Sequence, residues 1–457
     1  RYSKQIFDYL EQEIGVKYPW KIYRQVPVRD FLYAGMENTT STIFAQDFVV
    51  DSIGFNDKNY INVNAHELAH QWFGDLITAQ SGKHHWLQEG FATYYALLAE
   101  KEVFGDDYFY NELYDYALQL RSAAKTDTIP VMNEKASSLS FYKKGAWALH
   151  TLREDIGAKN FQKIVKKYLK KHQYKNVITD EFLAEVKKVV KTFDAENFKK
   201  TWLETSGFDM VLAESYLVKN KSVAAYIQLT KEKKDLENYK AILESETYFP
   251  IKQYIFYKLA NTPFEDKKEL IEIGMKQNLY VRQAIAETVT KIPVEFKSQY
   301  ETFLDDASYN TKEIALINLC KNFPEDKKNY LMKTKNIIGN NDKSFRISWL
   351  SLDFLSDDDG YEKYLILQEL LDFSSERYES SIRQNALEVL LKLAPDDYFV
   401  IASLFRATTH HKWQFTKFLR DIIREKLKNS EFRNRVEELA KTADEKTAAL
   451  YMKFLKE

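Results

Sequence analysis

The chain has little cysteine, no excess of basic charge and no long apolar run, so it lacks the features of disulfide-rich, nucleic-acid-binding and membrane-spanning proteins. A single cysteine, Cys320, stands in 457 residues, so no disulfide can form within the chain. The formal net charge is −1 with 29% charged residues, which leaves no basic excess to neutralise nucleic-acid phosphates. No apolar run reaches the roughly eighteen residues of a membrane-spanning helix, and no signal peptide is present at the start. We therefore expect no nucleic-acid partner and no membrane span. The location stays open between cytoplasm and periplasm or another extracytoplasmic compartment.

Glycine and proline are also scarce, with 13 and 8 residues, and from residue 236 onward the pattern is helical. At roughly 150 residues per domain, the length predicts two to four domains. Residues 206–235 differ, because two strand-like runs, 211–218 and 223–229, flank a polar stretch and predict a short β hairpin. The predicted domains are residues 1–205, 206–235 and 236–457.

The most informative segment is a His-Glu-x-x-His motif at residues 66–70, followed after eighteen residues by Glu89. Residues four apart share one face of a helix, so His66 and His70 can offer two imidazole nitrogens to one ion. A catalytic zinc usually takes three protein ligands and keeps one position for water, and Glu89 can supply the third. Residues 62–74 and 87–99 are predicted to form two antiparallel helices, which would bring Glu89 beside the histidines. The segment therefore predicts one zinc ion per chain. The competing reading is that the short motif is accidental and both histidines are ordinary surface or core residues.

The role of Glu67 follows from its place between the two histidines. It cannot be a ligand if both of them are, so its carboxylate is free to act on a water molecule beside the ion. It can take the proton of that water and pass it to the leaving amine, as a general base and then a general acid. The competing reading is a solvated glutamate on a helix.

Four motifs together resemble one family. They are HELAHQWFG at residues 66–74, WLQEGFA at 86–92, GMEN at 35–38 and YKKG at 142–145. This combination resembles the gluzincin aminopeptidases of the aminopeptidase N family, which also contains the bifunctional leukotriene hydrolase. The resemblance covers residues 1 to about 205. It implies a thermolysin-like α+β catalytic domain that hydrolyses the N-terminal bond of peptides.

The resemblance also implies roles for further residues. Tyr142 corresponds to the family's catalytic tyrosine, whose hydroxyl can stabilise the oxyanion that forms on the attacked carbonyl. Glu37 corresponds to the carboxylate that recognises the substrate's free α-ammonium. The substrate-binding segment comprises Gly35, Met36, Glu37 and Asn38, along which a peptide would lie as an extra strand.

Some positions depart from the family pattern. The family often has Asn where Asp75 and Gln88 stand, and many members have a glutamate at the place of Ala96 that orients a zinc histidine. Another group must then orient that histidine, or zinc binds less tightly. His84 and His85 are read as loop or cleft-wall residues rather than ligands. Family members also place a β-rich domain before the segment that resembles residues 1–14, and the sequence as given lacks it.

The C-terminal half contains a weak repeat. Three alanines, Ala284, Ala315 and Ala386, lie on apparently amphipathic helices, and each precedes a proline by nine residues. Residues 345–355 would supply an intervening unit. Paired helices at this period predict an all-α, HEAT- or armadillo-like superhelix, with an irregular helical bundle as the alternative.

The sequence thus predicts a zinc aminopeptidase acting on peptides with a free N-terminus. Three alternatives remain: a thermolysin-type endopeptidase, an epoxide hydrolase that uses the same zinc, and a non-catalytic scaffold derived from the family. An endopeptidase should lack the GMEN signature, and a scaffold should have lost zinc ligands. The sequence does not predict the preferred side chain at the substrate's first position or the oligomeric state.

Overall fold

The chain forms two compact units in the computed structural model, which describes residues 2–232, 235–356 and 360–457. Unit 1 comprises the chain up to Val28, Tyr33–Phe44 and Tyr60–Tyr254. Unit 2 comprises Arg29–Leu32, Ala45–Asn59 and Ile255–Glu457. The division differs from the predicted domains in two ways. Unit 1 continues beyond residue 235, and two short segments from the N-terminal part of the chain belong to unit 2.

Helices dominate both units. Within the first 244 residues they are α1 (Ser3–Ile14), α2 (Gly54–Asp57), α3 (Ile61–Ala69), α4 (Trp86–Phe104), α5 (Asp106–Ala123), α6 (Gly145–Ile156), α7 (Ala158–His172), α8 (Thr179–Val189), α9 (Ala195–Phe198), α10 (Met210–Leu217), α11 (Lys221–Lys231) and α12 (Leu236–Glu244). The later helices are α13 (Phe249–Lys258), α14 (Phe264–Gly274), α15 (Leu279–Thr288), α16 (Lys297–Tyr300), α17 (Tyr309–Asn322), α18 (Lys327–Thr334), α19 (Ser344–Phe354), α20 (Gly360–Phe373), α21 (Ser380–Leu393), α22 (Tyr398–Ala407), α23 (Trp413–Lys426), α24 (Ser430–Thr442) and α25 (Glu445–Leu455). No helix within the described ranges is long and apolar enough to cross a membrane.

The strands lie in two small sheets. They are β1 (Arg24–Val28), β2 (Gly35–Met36), β3 (Ser41–Ala45), β4 (Ile77–Ala79) and β5 (Lys175–Val177). The first sheet has the order β1-β3-β2, and β2 pairs antiparallel with β3 so that Gly35 is opposite Phe44 and Met36 opposite Ile43. The second sheet pairs β4 with β5 in parallel. Strands and helices together give unit 1 an α+β architecture.

Helix α4 is the centre of unit 1. It is buried on all sides over most of its length, as expected for a helix that is apolar around its whole circumference. Helix α3 packs along it, and α6 crosses it at a pair of glycines. A Cβ built on Gly145 would lie 3.0 Å from the Gly90 Cα, so the two backbones meet with no room for a side chain. The predicted helical pair over residues 62–74 and 87–99 is confirmed, with α3 ending earlier than predicted.

The predicted β hairpin within residues 206–235 is wrong. The two apolar runs form α10 and α11 instead. The Asp209 side chain accepts a hydrogen bond from the Leu212 amide, and the Asn220 side chain accepts one from the Val223 amide. Each polar residue thus caps the start of a helix. The stretch around Asn220 that suggested a hairpin turn is in fact a helix boundary.

Unit 2 is helical in all of its longer elements. The helices predicted from the alanine pattern are present as α15, α17 and α21, and their alanines are fully buried. The two N-terminal segments of the unit each place an aspartate at the N-terminus of a helix, where its side chain accepts a backbone hydrogen bond. The Asp30 carboxylate accepts from the Ser380 amide at 2.7 Å, and the Asp57 carboxylate accepts from the Tyr309 amide at 2.8 Å. These amides belong to the first residues of α21 and α17.

Candidate metal centre and active site

Three donor atoms converge on one point between α3 and α4. The His66 Nε2 lies 3.0 Å from the His70 Nε2, and the Glu89 Oε2 lies 3.2 Å and 3.1 Å from these two nitrogens. Zinc bonds of about 2.05 Å at tetrahedral angles place ligand atoms roughly 3.3 Å apart. The triangle therefore fits a zinc ion in both size and donor chemistry. All three residues are buried or nearly so.

The chain supplies a backbone group to orient one histidine. The His70 Nδ1 lies 2.9 Å from the Phe73 carbonyl oxygen, which leaves the Nε2 facing the other donors. Ligating histidines commonly use such a partner to fix ring and tautomer. The carbonyl is presented by the turn after α3, where Gly74 has φ of +147° and its amide donates to Ile77. The Phe73 carbonyl therefore orients His70 in this chain. Ala96, where many family members have an orienting glutamate, is fully buried inside α4.

The pKa values of the three donor residues are shifted in different directions. Burial acts to raise the pKa of Glu89, but its hydrogen bonds with both imidazoles hold it well below the usual range. Burial lowers the pKa of His66. For His70 the hydrogen bond and charge of Glu89 outweigh burial and raise the pKa to about 10. Because a ligating imidazole must be neutral, zinc binding would displace any proton that the two histidines hold.

Glu67 lies beside this triangle, on the same helix. It is 6% exposed, and no described residue hydrogen-bonds its Oε2. Burial raises its pKa to about 8, with Glu37 and Glu89 adding to the rise. A Cβ on Gly35 would overlap the Glu67 carboxyl, so the backbone of β2 runs directly against it. This carboxyl is therefore poised to hold or give up a proton near neutral pH.

The segment of residues 35–38 reaches the same place. A carboxylate oxygen of Glu37 lies within 4.8 Å of donor atoms of both Glu67 and His70. Gly35 and Met36 form β2 and are half-buried, whereas Asn38 is exposed in the turn that follows. Strand β2 pairs with β3 on one side and ends the sheet on the other, within the described part of the chain.

Tyr142 approaches from a third element, a π-helical turn over Ser140–Lys144 that precedes α6. Its ring stacks on the His66 imidazole, with centroids 5.4 Å apart and planes 7° from parallel. Burial raises its pKa further above 10, and Glu89 adds to the rise. The hydroxyl therefore stays protonated and remains a donor.

The other two histidines near the motif differ in position. The His84 Nδ1 accepts a hydrogen bond from the Thr179 amide at 3.2 Å, so His84 joins the loop to the start of α8. The His85 ring stacks on Phe141, and its Nε2 lies 3.7 Å from the Glu89 Oε1. His85 is thus part of the site's surroundings, as the cleft-wall reading expected, without joining the donor triangle.

Two buried side chains that hold the site together were not anticipated. The Gln71 side chain donates to the Glu37 carbonyl oxygen at 3.0 Å, and the Lys144 amine donates to the carbonyls of Thr205 and Gly207. Adjacency to His70 and to Tyr142 was the only signal in the sequence. Their partners lie tens of residues away, so the contacts could not be read from local pattern.

Two histidines and a glutamate beside an ionisable carboxyl are a donor set that zinc metallopeptidases use. Comparison with known proteins gives a family match for the N-terminal part of the chain. Residues 1–202 match the model described as the peptidase family M1 domain. Zinc is the cofactor that this similarity implies for residues 1–202.

Similar proteins cover different parts of the chain. Aminopeptidase M1-D of Oryza sativa subsp. japonica is 32% identical over 207 residues, which are 42% of this chain and 24% of the rice protein. Human endoplasmic reticulum aminopeptidase 2 is 31% identical over 192 residues, 39% of this chain and 20% of the human protein. The chain thus spans about a quarter or less of these relatives' length. Native yeast LTA4 hydrolase has a TM-score of 0.55 at 16% identity, covering 92% of this chain and 62% of the yeast chain. That likeness concerns the fold alone.

Proposed function

We propose that the chain is the catalytic portion of a zinc aminopeptidase, which hydrolyses the bond after the first residue of a peptide. One observation carries this proposal: a carboxylate oxygen of Glu37 lies within 4.8 Å of donor atoms of Glu67 and His70. A carboxylate at that distance from the reacting centre can pair with an α-ammonium only one residue from the cleaved bond. The aminopeptidase names of the rice and human relatives agree with this reading.

His66, His70 and Glu89 would hold the zinc ion. When bound, zinc polarises the scissile carbonyl and lowers the pKa of a water molecule to about 7. Glu67 would take a proton from the attacking water and deliver it to the leaving nitrogen. Its buried carboxyl, with a pKa raised to about 8 before metal is bound, suits a group that must both accept and return a proton.

Tyr142 would stabilise the charge that develops on the former carbonyl oxygen. Its hydroxyl is protonated at working pH, and its ring stacks on the imidazole of His66. A donor that is already in place needs no reorganisation as the oxyanion forms. The substrate would lie along the open edge of β2, where Gly35 and Met36 offer backbone groups to an extended peptide.

The test compares a free and an N-acetylated peptide on the intact gene product. A free N-terminus gains a charge-assisted hydrogen bond with Glu37, so acetylation should lower kcat/KM at least ~10-fold. Glu37→Gln should erase most of this discrimination, and Glu100→Gln, a buried glutamate outside the donor set, should leave it intact. Equal cleavage of both peptides, or internal cuts in an unfolded chain, would favour an endopeptidase. Turnover of a lipid epoxide without peptide cleavage would favour an epoxide hydrolase, and zinc binding without turnover a scaffold.

For unit 2 we propose a HEAT- or armadillo-like superhelix. Its support is a regular packing order in which every second helix lies side by side, since α15 packs on α17, α17 on α19, and α19 on α21. The helices between them connect one layer to the next. In an irregular bundle, neighbours would not follow this alternation. A crystal structure of the intact gene product would test this arrangement, and helices that pack without this alternation would contradict it.

A further inference from the structure

Gln71 is the residue that directly follows the zinc histidine His70, yet its side chain points away from the donor triangle. It is fully buried in unit 1. Its Oε1 accepts from the Thr40 amide at 2.8 Å and from the Tyr18 hydroxyl at 3.2 Å. Its Nε2 donates to the Glu37 carbonyl at 3.0 Å. Both lone pairs of the amide oxygen are therefore used, and one of its two N–H groups.

The two backbone partners of Gln71 bracket one turn. Glu37 and Thr40 are the first and last residues between β2 and β3, so one side chain holds both ends of the connection. The turn is tight, because the Ser41 amide donates to the Asn38 carbonyl at 2.8 Å. It is also strained, since Thr40 has φ of +65°, a left-handed conformation that a β-branched residue rarely adopts. Such a conformation persists only where its surroundings enforce it.

We propose that Gln71 is a positioning residue for substrate specificity, which fixes the Glu37 carboxylate relative to the zinc site through the backbone of the β2–β3 turn. The inference rests on the proposed function of Glu37. The link is short: one covalent step joins Gln71 to a zinc ligand, and one hydrogen bond joins it to the backbone of Glu37. The distance between metal and ammonium pocket is then set by rigid backbone rather than by a flexible surface loop.

The amide is suited to this task because it presents a donor and an acceptor in fixed directions. Glutamate at the same place keeps the acceptor for Thr40 and Tyr18 but, when ionised, turns an acceptor toward the Glu37 carbonyl. Methionine keeps the length and volume but loses all three hydrogen bonds. The two substitutions therefore separate the contact with Glu37 from the contacts with Thr40 and Tyr18.

The experiment uses the intact gene product with zinc content verified. In Gln71→Met and Gln71→Glu, the preference for a free over an N-acetylated peptide should fall at least ~10-fold, mainly through a raised KM, with zinc stoichiometry unchanged. Hydrogen exchange of the Thr40 amide should speed up at least ~10-fold in Gln71→Met and much less in Gln71→Glu. Tyr18→Phe is the matched control. It removes the contacts of the Tyr18 hydroxyl with Gln71 and with the Ile22 carbonyl but leaves those of Gln71 with Glu37 and Thr40, so it should retain the preference.

The outcomes separate this proposal from the function on which it rests. A wild-type protein without any preference for free N-termini contradicts the proposed function itself. A wild type that discriminates, together with folded Gln71 variants that discriminate equally well, overturns the positioning role alone. If Gln71→Met fails to fold, the preference of Gln71→Glu for free over N-acetylated peptides tests the positioning role. A lowered melting temperature with unchanged preference would mean that Gln71 is merely structural.

Discussion

At the scale of single residues, the site combines groups whose protonation is set by burial. Glu67 and Glu100 are both buried glutamates in unit 1 with raised pKa values, of about 8 and about 7. They differ in their partners. Glu100 accepts from Asn62 at 2.7 Å and from Tyr108 at 2.9 Å, whereas no described residue satisfies the Glu67 Oε2. A buried carboxyl with an unsatisfied oxygen costs stability, which indicates a catalytic role for Glu67. A buried carboxyl with both oxygens hydrogen-bonded, such as that of Glu100, indicates a structural role.

Glu67→Gln should bind zinc normally and lose at least ~100-fold in turnover. General acid–base transfer typically supplies 10²–10⁴ in rate, and a carboxamide cannot accept the proton. The measurement is kcat on an aminoacyl-arylamide, with zinc determined by elemental analysis on the same sample. Near-normal turnover would remove Glu67 from the mechanism, and lost zinc would mean that the substitution disturbs the metal site. Glu100→Gln is the matched control and should keep most of the activity.

Glu100 gives a stability prediction with a defined sign. Burial raises its pKa from 4.5 to about 7, so the folded state holds a proton that the unfolded state releases. Stability is therefore fully present below about pH 4.5 and falls as pH rises through about 7. Glu100→Gln removes the titration and should be more stable than wild type at pH 9, by on the order of 1 to 3 kcal/mol, with the difference vanishing near pH 4. Denaturation in urea at several pH values measures this, and a constant difference would refute it.

At the scale of elements, α3 and α4 could be predicted because the residue patterns that indicate them are local in sequence. The spacing of His66 and His70 requires a helix, and the apolar pattern after Glu89 gives a second one, so their pairing follows. The hairpin failed for the opposite reason: short apolar runs are ambiguous between strand and helix, and the caps Asp209 and Asn220 decide for helices. The contact of Gln71 with the β2–β3 turn joins residues thirty or more positions apart, so no local pattern encodes it.

The crossing of α4 and α6 gives a prediction at this scale. Gly145→Ala places a Cβ 3.0 Å from the Gly90 Cα, so backbone must move rather than a flexible side chain. We expect a loss of about 1–3 kcal/mol, despite alanine's better helix propensity. Turnover should also fall, because the turn that carries Tyr142 leads directly into Gly145. Gly360→Ala is the control, since its Cβ meets no atom of the described residues within 4 Å. Comparable melting temperatures for the two variants would contradict the close-packing argument.

At the scale of the whole molecule, the course of the chain departs from a simple order of domains. Segments of residues 29–32 and 45–59 interrupt unit 1 in sequence but belong to unit 2. Each brings an aspartate to the start of a helix, where a negative charge meets unpaired amides and the positive end of the helix dipole. The domain boundaries predicted from the sequence put both segments in the catalytic domain. Pairings across 350 and 252 positions leave no periodic trace in the sequence.

Asp30 allows this arrangement to be tested. It is buried, and its carboxylate accepts from the Ser380 amide at 2.7 Å and lies 3.2 Å from the His410 Nε2. Burial acts to raise its pKa, but these hydrogen bonds hold it below the usual range. The stabilisation is therefore present above the unfolded pKa of about 4 and is lost as pH falls through the folded value. Asp30→Asn tolerates the same left-handed backbone, at φ of +52°, and removes only the charge.

We expect Asp30→Asn to cost about 1–2 kcal/mol at pH 7 and progressively less as the pH falls below about 4, with faster hydrogen exchange at the start of α21. Asp397→Asn is the matched control. It removes a charge from a local cap of α22 in the same unit, where asparagine caps equally well, so its cost should be a few tenths of a kcal/mol. Equal effects of the two substitutions, or a cost of Asp30→Asn that does not change between pH 7 and pH 3, would show that the N-terminal segment contributes no charge-dependent stability to unit 2. A larger effect of Asp30→Asn that disappears in acid would mean that residues far apart in sequence stabilise this unit through the dipole of one helix.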